Sequence, residues 1–316
     1  MGVVYEAQQQ GARGFQKRVA IKVVREKYTQ QKEFIENFIG EAKLVADLIH
    51  TNIVQTYRFG EAKGTCFITM ELIRGVNLEQ FMQRLQNAQV PLPVNLAVFI
   101  VSRIARGLVY AHAKRAHDGK PLGIVHRDVS PKNIMIAFEE DVKLTDFGIA
   151  KARGFLKDQE GEVVAGKADY MSPEQADFQV TDKRSDLFSA GIVLSQLLLG
   201  RNIFKADNPV ESRKRVLRMQ IPDFTKTTPA LELRLNEILQ KALARKLEDR
   251  YQLADQLSHE LEVFIYGSGY GPTNETLGQF VRHLFDQDDI TLAPDPTRGG
   301  TALLGSDGHS TKRIRT

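Results

Sequence analysis

Two stretches of this sequence, Val94 to His112 and Leu187 to Leu199, are apolar on nearly every helical face. A helix without a wet side must be enclosed by protein or by lipid, so a chain with two of them needs a helical body large enough to surround both. The longest candidate for a membrane span, Ala190 to Leu199, is interrupted by Ser195 and Gln196, well short of the roughly 20 apolar residues that cross a bilayer. We therefore expect a helix-rich lobe with both segments at its centre, no membrane segment in the chain, and no charged-then-apolar leader at its start. At 316 residues and 42% apolar, the chain can bury the core of one large two-lobed domain or of two ordinary ones.

The first 70 residues have a different rhythm. Val3-Val4-Tyr5-Glu6-Ala7 and Val19-Ala20-Ile21-Lys22-Val23-Val24 are β-rich runs around a turn that holds Gly11 and Gly14, which reads as a hairpin. Between Gln30 and Leu48, the residues Phe34, Ile35, Phe38, Val45 and Leu48 fall on helical spacing, and strands are expected around Ile53 to Phe59 and Thr65 to Met70. The expected fold class is α+β: a small antiparallel sheet with one helix over 1–70, a connector at 71–75, and a helical lobe over 76–266. Thr228-Pro229 should open an amphipathic helix carrying Leu231, Leu235, Ile238, Leu239 and Ala242. The Gly/Pro-rich stretch at 267–272 ends the lobe. In the tail, 267–316, one short amphipathic helix is expected at about 274–286, with Leu277, Phe280, Val281 and Leu284 on the side packed against the larger lobe, and disorder beyond it.

Charge narrows the partners. Lys and Arg exceed Asp and Glu by 43 to 39, a surplus too thin over this length to argue for nucleic acid. The basic cluster Lys312-Arg313-Ile314-Arg315 reads as a solvated terminus. The single cysteine, Cys66, excludes a disulfide within the chain and suits a reducing cytoplasm; its apolar neighbours Phe67 and Ile68 place it in the core rather than in chemistry.

Chemistry enters with His126-Arg127-Asp128, with Asn133 five residues beyond the Asp, then with Asp146-Phe147-Gly148 and Ser172-Pro173-Glu174. Each piece alone is a common turn or surface triplet. In this order and at this spacing they resemble the eukaryotic-like (Hanks-type) Ser/Thr protein kinases in their bacterial form, over roughly residues 2 to 265. Phosphoryl transfer needs little covalent help and much charge placement: a metal on the phosphates, a further cation, and a group that orients the attacking hydroxyl. The resemblance implies a two-lobed kinase fold, ATP and Mg²⁺ as cofactors, and a protein acceptor. It assigns Asn133 and Asp146 to the metal, Asp128 to the acceptor hydroxyl, and Lys22 to the α- and β-phosphates with Glu41 as its partner. It places adenine against the Glu71 C=O and the Ile73 N–H, between Val4, Ala20 and Met135, with Met70 behind. Asp186 would cap and anchor the second buried helix, and Arg250 would pair with Glu174. A pseudokinase, an ATP-binding scaffold with little turnover, is the rival reading; the complete set of polar groups weighs against it.

Three departures from the family pattern stand out. Gly2-Val3-Val4 supplies only the last glycine and the valine of the Gly-x-Gly-x-x-Gly-x-Val loop, so the chain reads as cut within that loop, with an exposed strand edge next to it. Ser130 stands two residues after Asp128, where most Ser/Thr kinases have lysine; Lys132 stands four after, where tyrosine kinases have arginine; Lys167 follows Gly166, where threonine is usual. One of these two lysines is expected to supply the cation on the γ-phosphate, and acceptor preference between Ser/Thr and Tyr stays open on these residues. Between Gly148 and Gly166 there is no Ser, Thr or Tyr, which leaves Asp158, Glu160 and Glu162 as acidic groups for Arg127 to meet.

Overall fold

The first hairpin forms as its rhythm requires: β1 (Gly2–Gln10) pairs antiparallel with β2 (Gln16–Val24), from Gly2 opposite Val24 to Gln10 opposite Gln16. The computed structural model describes residues 2–24, 32–62, 64–139, 141–147, 168–227, 232–285 and 310–313. Ala7, Val19 and Ile21 cover one face of the hairpin. Val24 joins Phe38 and Ala42 of α1 (Lys32–Ala46) and Cys66 and Ile68 of the next hairpin, formed by β3 (Thr56–Ala62) and β4 (Thr65–Glu71). Cys66 is thus a core residue; its burial and then the nearby Glu61 push the thiol above its usual range, which keeps it protonated and inert.

After β4 the chain crosses to the helical body. β5 (Gly75–Asn77) lies so close to a neighbouring strand that a Cβ at Gly75 would sit 2.1 Å from the Ile136 carbonyl oxygen, so glycine alone fits there. Asn77 caps α2 (Leu78–Ala88) in a capping box with Gln80. α3 (Val94–Ala113) follows, with most residues between Leu96 and Ala111 buried and Arg106 exposed. This corrects the expectation that no segment approaches membrane-spanning length: α3 is long and apolar enough, and two-thirds of its most apolar window, 67%, is buried inside the protein. A short 3-10 turn, Pro131–Asn133, leads into β6 (Ile134–Ala137) and β7 (Val142–Leu144), which extend β5 into a three-stranded sheet.

Among the described residues from 168 to 285 the regular structure is helical: α4 (Pro173–Ala176), α5 (Lys183–Leu199), α6 (Pro209–Arg218), α7 (Phe224–Thr227), α8 (Leu233–Ala242), α9 (Ala254–Tyr266) and α10 (Asn274–Leu284). α5 is the second all-round apolar helix and is buried from Ser185 to Ser195. Its N-cap is Asp182, whose side chain accepts from Arg184 N–H; Asp186, expected to cap, sits in the first turn and turns elsewhere. α8 buries Leu235, Ile238, Leu239 and Ala242 as read, but it begins at Leu233 after Glu232, and Thr228-Pro229 lies outside the described residues. A single apolar core runs from Leu48 and Ile53 through α3 and α5 to Leu277, Val281 and Leu284 of α10. Each fully buried large side chain there stabilises the lobe by roughly 1.5–3 kcal/mol.

Two findings concern how the bodies join and how the first sheet ends. Besides the connector at 71–75, the small body is bolted to the large one at Asn52–Val54. Asn52 Nδ2 donates to the Val142 carbonyl at 2.9 Å, Leu144 N–H to the Asn52 carbonyl at 2.9 Å, and Val54 N–H to the Leu144 carbonyl at 2.8 Å. The five-stranded sheet runs β3-β4-β2-β1-β8, where β8 (Ser310–Arg313) pairs antiparallel with β1 from Tyr5 opposite Arg313 to Gln8 opposite Ser310. An unpaired β1 edge and a tail without structure were expected; at residues 5–8 the edge is instead covered by a strand from the tail.

Candidate active site

The site is assembled around one buried carboxylate. Asp186, on the first turn of α5, accepts from His126 N–H at 2.8 Å, from Arg127 N–H at 2.7 Å and meets His112 Nε2 at 2.8 Å. Burial alone would raise the acid, but the hydrogen bond and charge of His112 hold it below the usual carboxylate range. These bonds also fix Arg127 in the left-handed region, at φ 60°, a conformation that costs a non-glycine residue about 1–3 kcal/mol. The reward is local: the chain turns sharply and presents the next residue, Asp128.

Asp128 is held in turn. Asn133 Nδ2 donates to its Oδ2 at 2.8 Å and to its carbonyl at 2.9 Å, while Asp128 N–H donates to His126 Nδ1 at 3.2 Å. The His126 ring is fully buried, meets the Thr145 carbonyl through Nε2 at 3.1 Å, and lies 4.5 Å from the Phe147 ring. Thr145 N–H donates to the Asn133 carbonyl at 2.9 Å. Main-chain bonds therefore set Asn133 beside Asp146, which is also left-handed at φ 59°. From the small body, Lys22 Nζ reaches Asp146 Oδ1 at 2.8 Å. Lys22 was expected beside Glu41; α1 carries Glu41 as read, and the Glu41 side chain lies outside the described ones.

Part of the set expected at adenine comes together. Ala20, Val54 and Met70 are buried together, with Val4, Leu72 and Ile73 packed on them; Met135 stands in β6 opposite Asn77 and Lys143, and Gly2 opens β1. Glu71 contributes more than the carbonyl assigned to it. Its Oε1 pairs with Lys143 Nζ at 3.1 Å and its Oε2 accepts from Gln55 N–H at 3.2 Å, so the connector is tied to both bodies. The sequence reading missed Lys143, a buried lysine three residues before Asp146 in an otherwise apolar strand; that placement was the available signal.

Of the two lysines considered for the γ-phosphate, Lys132 pairs with Glu79 of α2 at 3.7 Å, both half-exposed, and Lys167 lies outside the described residues. The Ser130 hydroxyl is buried and has no hydrogen-bond partner among the described residues. Arg127 Nε donates to Thr181 Oγ1 at 3.2 Å; Asp158, Glu160, Glu162 and Gly148 are not among the described residues. Glu174 and Arg250 pair as expected, at 2.9 and 3.2 Å, with Ser185 Oγ donating to the same carboxylate at 2.5 Å.

Residues 1–261 match the family described as Protein kinase domain. The chain is 38% identical over 322 residues to the tyrosine-protein kinase MasK of Myxococcus xanthus, covering 98% of this chain and 49% of that protein. It is 33% identical over 244 residues to the serine/threonine-protein kinase PrkC of Bacillus subtilis, covering 77% and 36%. The chain therefore spans about half or less of the length of these curated relatives. Among solved structures, the kinase domain of Mycobacterium tuberculosis PknI superposes with a TM-score of 0.61 at 26% identity, over 83% of this chain and 90% of that one. The fold, the polar set around Asp128 and these matches agree, and this chain belongs to the protein kinase domain family, with Hanks-type Ser/Thr kinases of bacteria among its relatives.

Proposed function

We propose that this chain transfers the γ-phosphoryl group of ATP to serine or threonine hydroxyls of protein substrates. The observation that carries the reading is the convergence of Asp128, Asn133, Asp146 and Lys22, linked by contacts of 2.8 Å between Asn133 and Asp128 and between Lys22 and Asp146. A scaffold has no physical need of that set.

Family membership implies ATP and a divalent cation, and Mg²⁺ is the cation we propose. The donors fit a hard ion: Asn133 turns its Nδ2 toward Asp128, which directs Oδ1 the other way, and Asp146 adds a carboxylate. Bound there, the ion would neutralise phosphate charge. The chain's own residues do the rest. Asp128, its rotamer fixed by Asn133, orients the acceptor hydroxyl and takes its proton as the new P–O bond forms and the bond between the γ-phosphorus and the β,γ-bridging oxygen breaks, with ADP leaving. Lys22 holds the α- and β-phosphates, and Gly2 lets backbone approach them. The Glu71 carbonyl and Ile73 N–H take the adenine edge, in the apolar slot of Val4, Ala20, Met70 and Met135.

Lys167 is our candidate for the γ-phosphate cation, because Lys132 is engaged by Glu79 and a buried hydroxyl at Ser130 is suited to receive an ammonium. Lys167→Ala is expected to lower kcat about 100-fold, the scale of losing one charge-stabilising group, and Lys132→Ala less than about threefold, as for an exposed ion pair. Steady-state kinetics at saturating ATP reads both, and unchanged turnover in both variants removes the idea.

Tyrosine as acceptor is the second reading, favoured by Lys132 four residues after Asp128 and by the likeness to a relative named a tyrosine-protein kinase. Transfer from γ-labelled ATP with Mg²⁺ to a mixed protein substrate, followed by phosphoamino-acid analysis, decides. Label on serine and threonine supports the first reading, label confined to tyrosine replaces it with the second, and no label with bound ATP rejects both.

A further inference from the structure

Helix α10 lies beyond the residues matched to the kinase family, yet it is built into the same core. Thr273 caps it by accepting from Thr276 N–H at 3.1 Å, and Leu277, Val281 and Leu284, at i, i+4 and i+7, are all buried. Its polar contacts reach two separate elements. Toward α2, Arg84 Nε donates to the Leu284 carbonyl at 3.0 Å, the same guanidinium lies over the Phe285 ring, and Phe280 meets the buried Phe81 edge-on at 6.2 Å. Toward the turn between β6 and β7, Arg282 Nη1 donates to the Phe138 carbonyl at 3.1 Å, Asn274 Nδ2 to Asp141 Oδ1 at 3.2 Å, and Phe285 meets Phe138 at 6.2 Å.

Those two elements border the site. α2 starts at Leu78, after the Asn77 cap that ends β5 opposite Met135, and its Glu79 meets Lys132 of the catalytic loop. The hairpin closed by that turn carries Met135 in β6, and at its open end Asn133 stands just before β6 and Asp146 two residues beyond β7. A helix fastened to both from outside fixes their separation. We infer that α10 is a positioning brace for the nucleotide cleft: docked, it holds α2 against the β6–β7 turn, so the catalytic unit runs to Phe285, and a partner that draws α10 away lowers ATP affinity. The part concerning ATP rests on the kinase reading.

The test uses the full chain with Phe280→Asp, which sets a charge against Phe81, beside Phe280→Leu, which keeps the contact. Hydrogen exchange at residues 274–285 and 77–81 is followed together with equilibrium binding of a fluorescent ATP analogue and kcat at saturating ATP. For Phe280→Asp, protection is expected to fall in both segments and the dissociation constant to rise about five- to tenfold, the usual size of coupling between sites, with kcat within about twofold; Phe280→Leu restores wild-type values. Loss of protection in α10 without loss at 77–81 overturns the brace, whether or not the wild-type chain binds nucleotide. Loss in both with unchanged nucleotide affinity overturns its link to the cleft. A wild-type chain that binds no nucleotide defeats the kinase reading instead, and the exchange comparison still decides the brace. Should Phe280→Asp not fold, Arg84→Ala removes the contacts to Leu284 and Phe285 from the surface, and the same outcomes apply.

Discussion

Asp128→Asn is expected to lower phosphoryl transfer by about three orders of magnitude, within the range for losing a positioned proton acceptor, while ATP binds as in the unaltered chain. The substitution is nearly isosteric, and the backbone that places residue 128 is held from outside it, by Asp186 on His126 and Arg127 and by His126 Nδ1 on the residue's own N–H. Only the acceptor oxygen changes. An amide nitrogen cannot take the hydroxyl proton, and the Asn133 amide then faces another amide rather than a carboxylate. Single-turnover transfer with a separate nucleotide-binding measurement isolates the effect. Turnover within tenfold of the unaltered chain would remove Asp128 from its role.

Arg250→Met should cost about 3–5 kcal/mol of stability, because it leaves a buried carboxylate without its partner. Glu174 is 5% exposed and Arg250 2%, and the guanidinium also donates to the carbonyls of Ala244 and Arg184 at 3.0 and 2.9 Å. Chemical denaturation of the single variant and of Glu174→Leu/Arg250→Met distinguishes the lost pair from the stranded charge: the double change should recover part of the loss, with the orphaned carbonyls keeping the rest. Acidity supplies a second check. Burial alone would raise Glu174, but the hydrogen bonds and charge of Arg250 and the hydroxyl of Ser185 hold it below the usual range. The stability it contributes is therefore present above the unfolded glutamate value of about 4.3 and lost as pH falls through the lower folded value. The deficit of Arg250→Met accordingly narrows in acid; a deficit constant from neutrality to below pH 4 would contradict the ion-pair account.

How much of this was legible without coordinates depends on the range of the interaction. That the residues proposed for catalysis lie together was legible because their spacing is itself the constraint: Asn133 reaches Asp128 within one turn, and Asp146 follows two residues after the hairpin of β6 and β7. The two buried helices were legible because an all-apolar helix must be enclosed, here by the protein itself. Which Asp caps α5 was not, since Asp182 and Asp186 are equally good caps by type and only the local backbone chooses between them. Nor was the Glu71–Lys143 pair, which joins residues that nothing local relates, or the strand at Ser310–Arg313, where hydroxyl and basic side chains give no alternation to read.

The second bolt between the bodies, at Asn52–Val54, fixes how the protein can move. Two bodies joined at a single connector can tumble about it in every direction; joined by main-chain bonds at a second point as well, they share a line, and the easiest motion is rotation about that line. Here the line runs from Asn52–Val54, bonded to Val142 and Leu144, to the connector at 71–75, itself pinned by Glu71 to Gln55 and Lys143. Rotation displaces each atom in proportion to its distance from the axis. The apolar slot proposed for adenine, beside the connector, should barely change width, and the β1–β2 hairpin, from which Lys22 reaches across to Asp146, should swing more. Opening is then a book-like motion in which the end of the cleft proposed for the phosphates gapes while the end proposed for the base keeps its width.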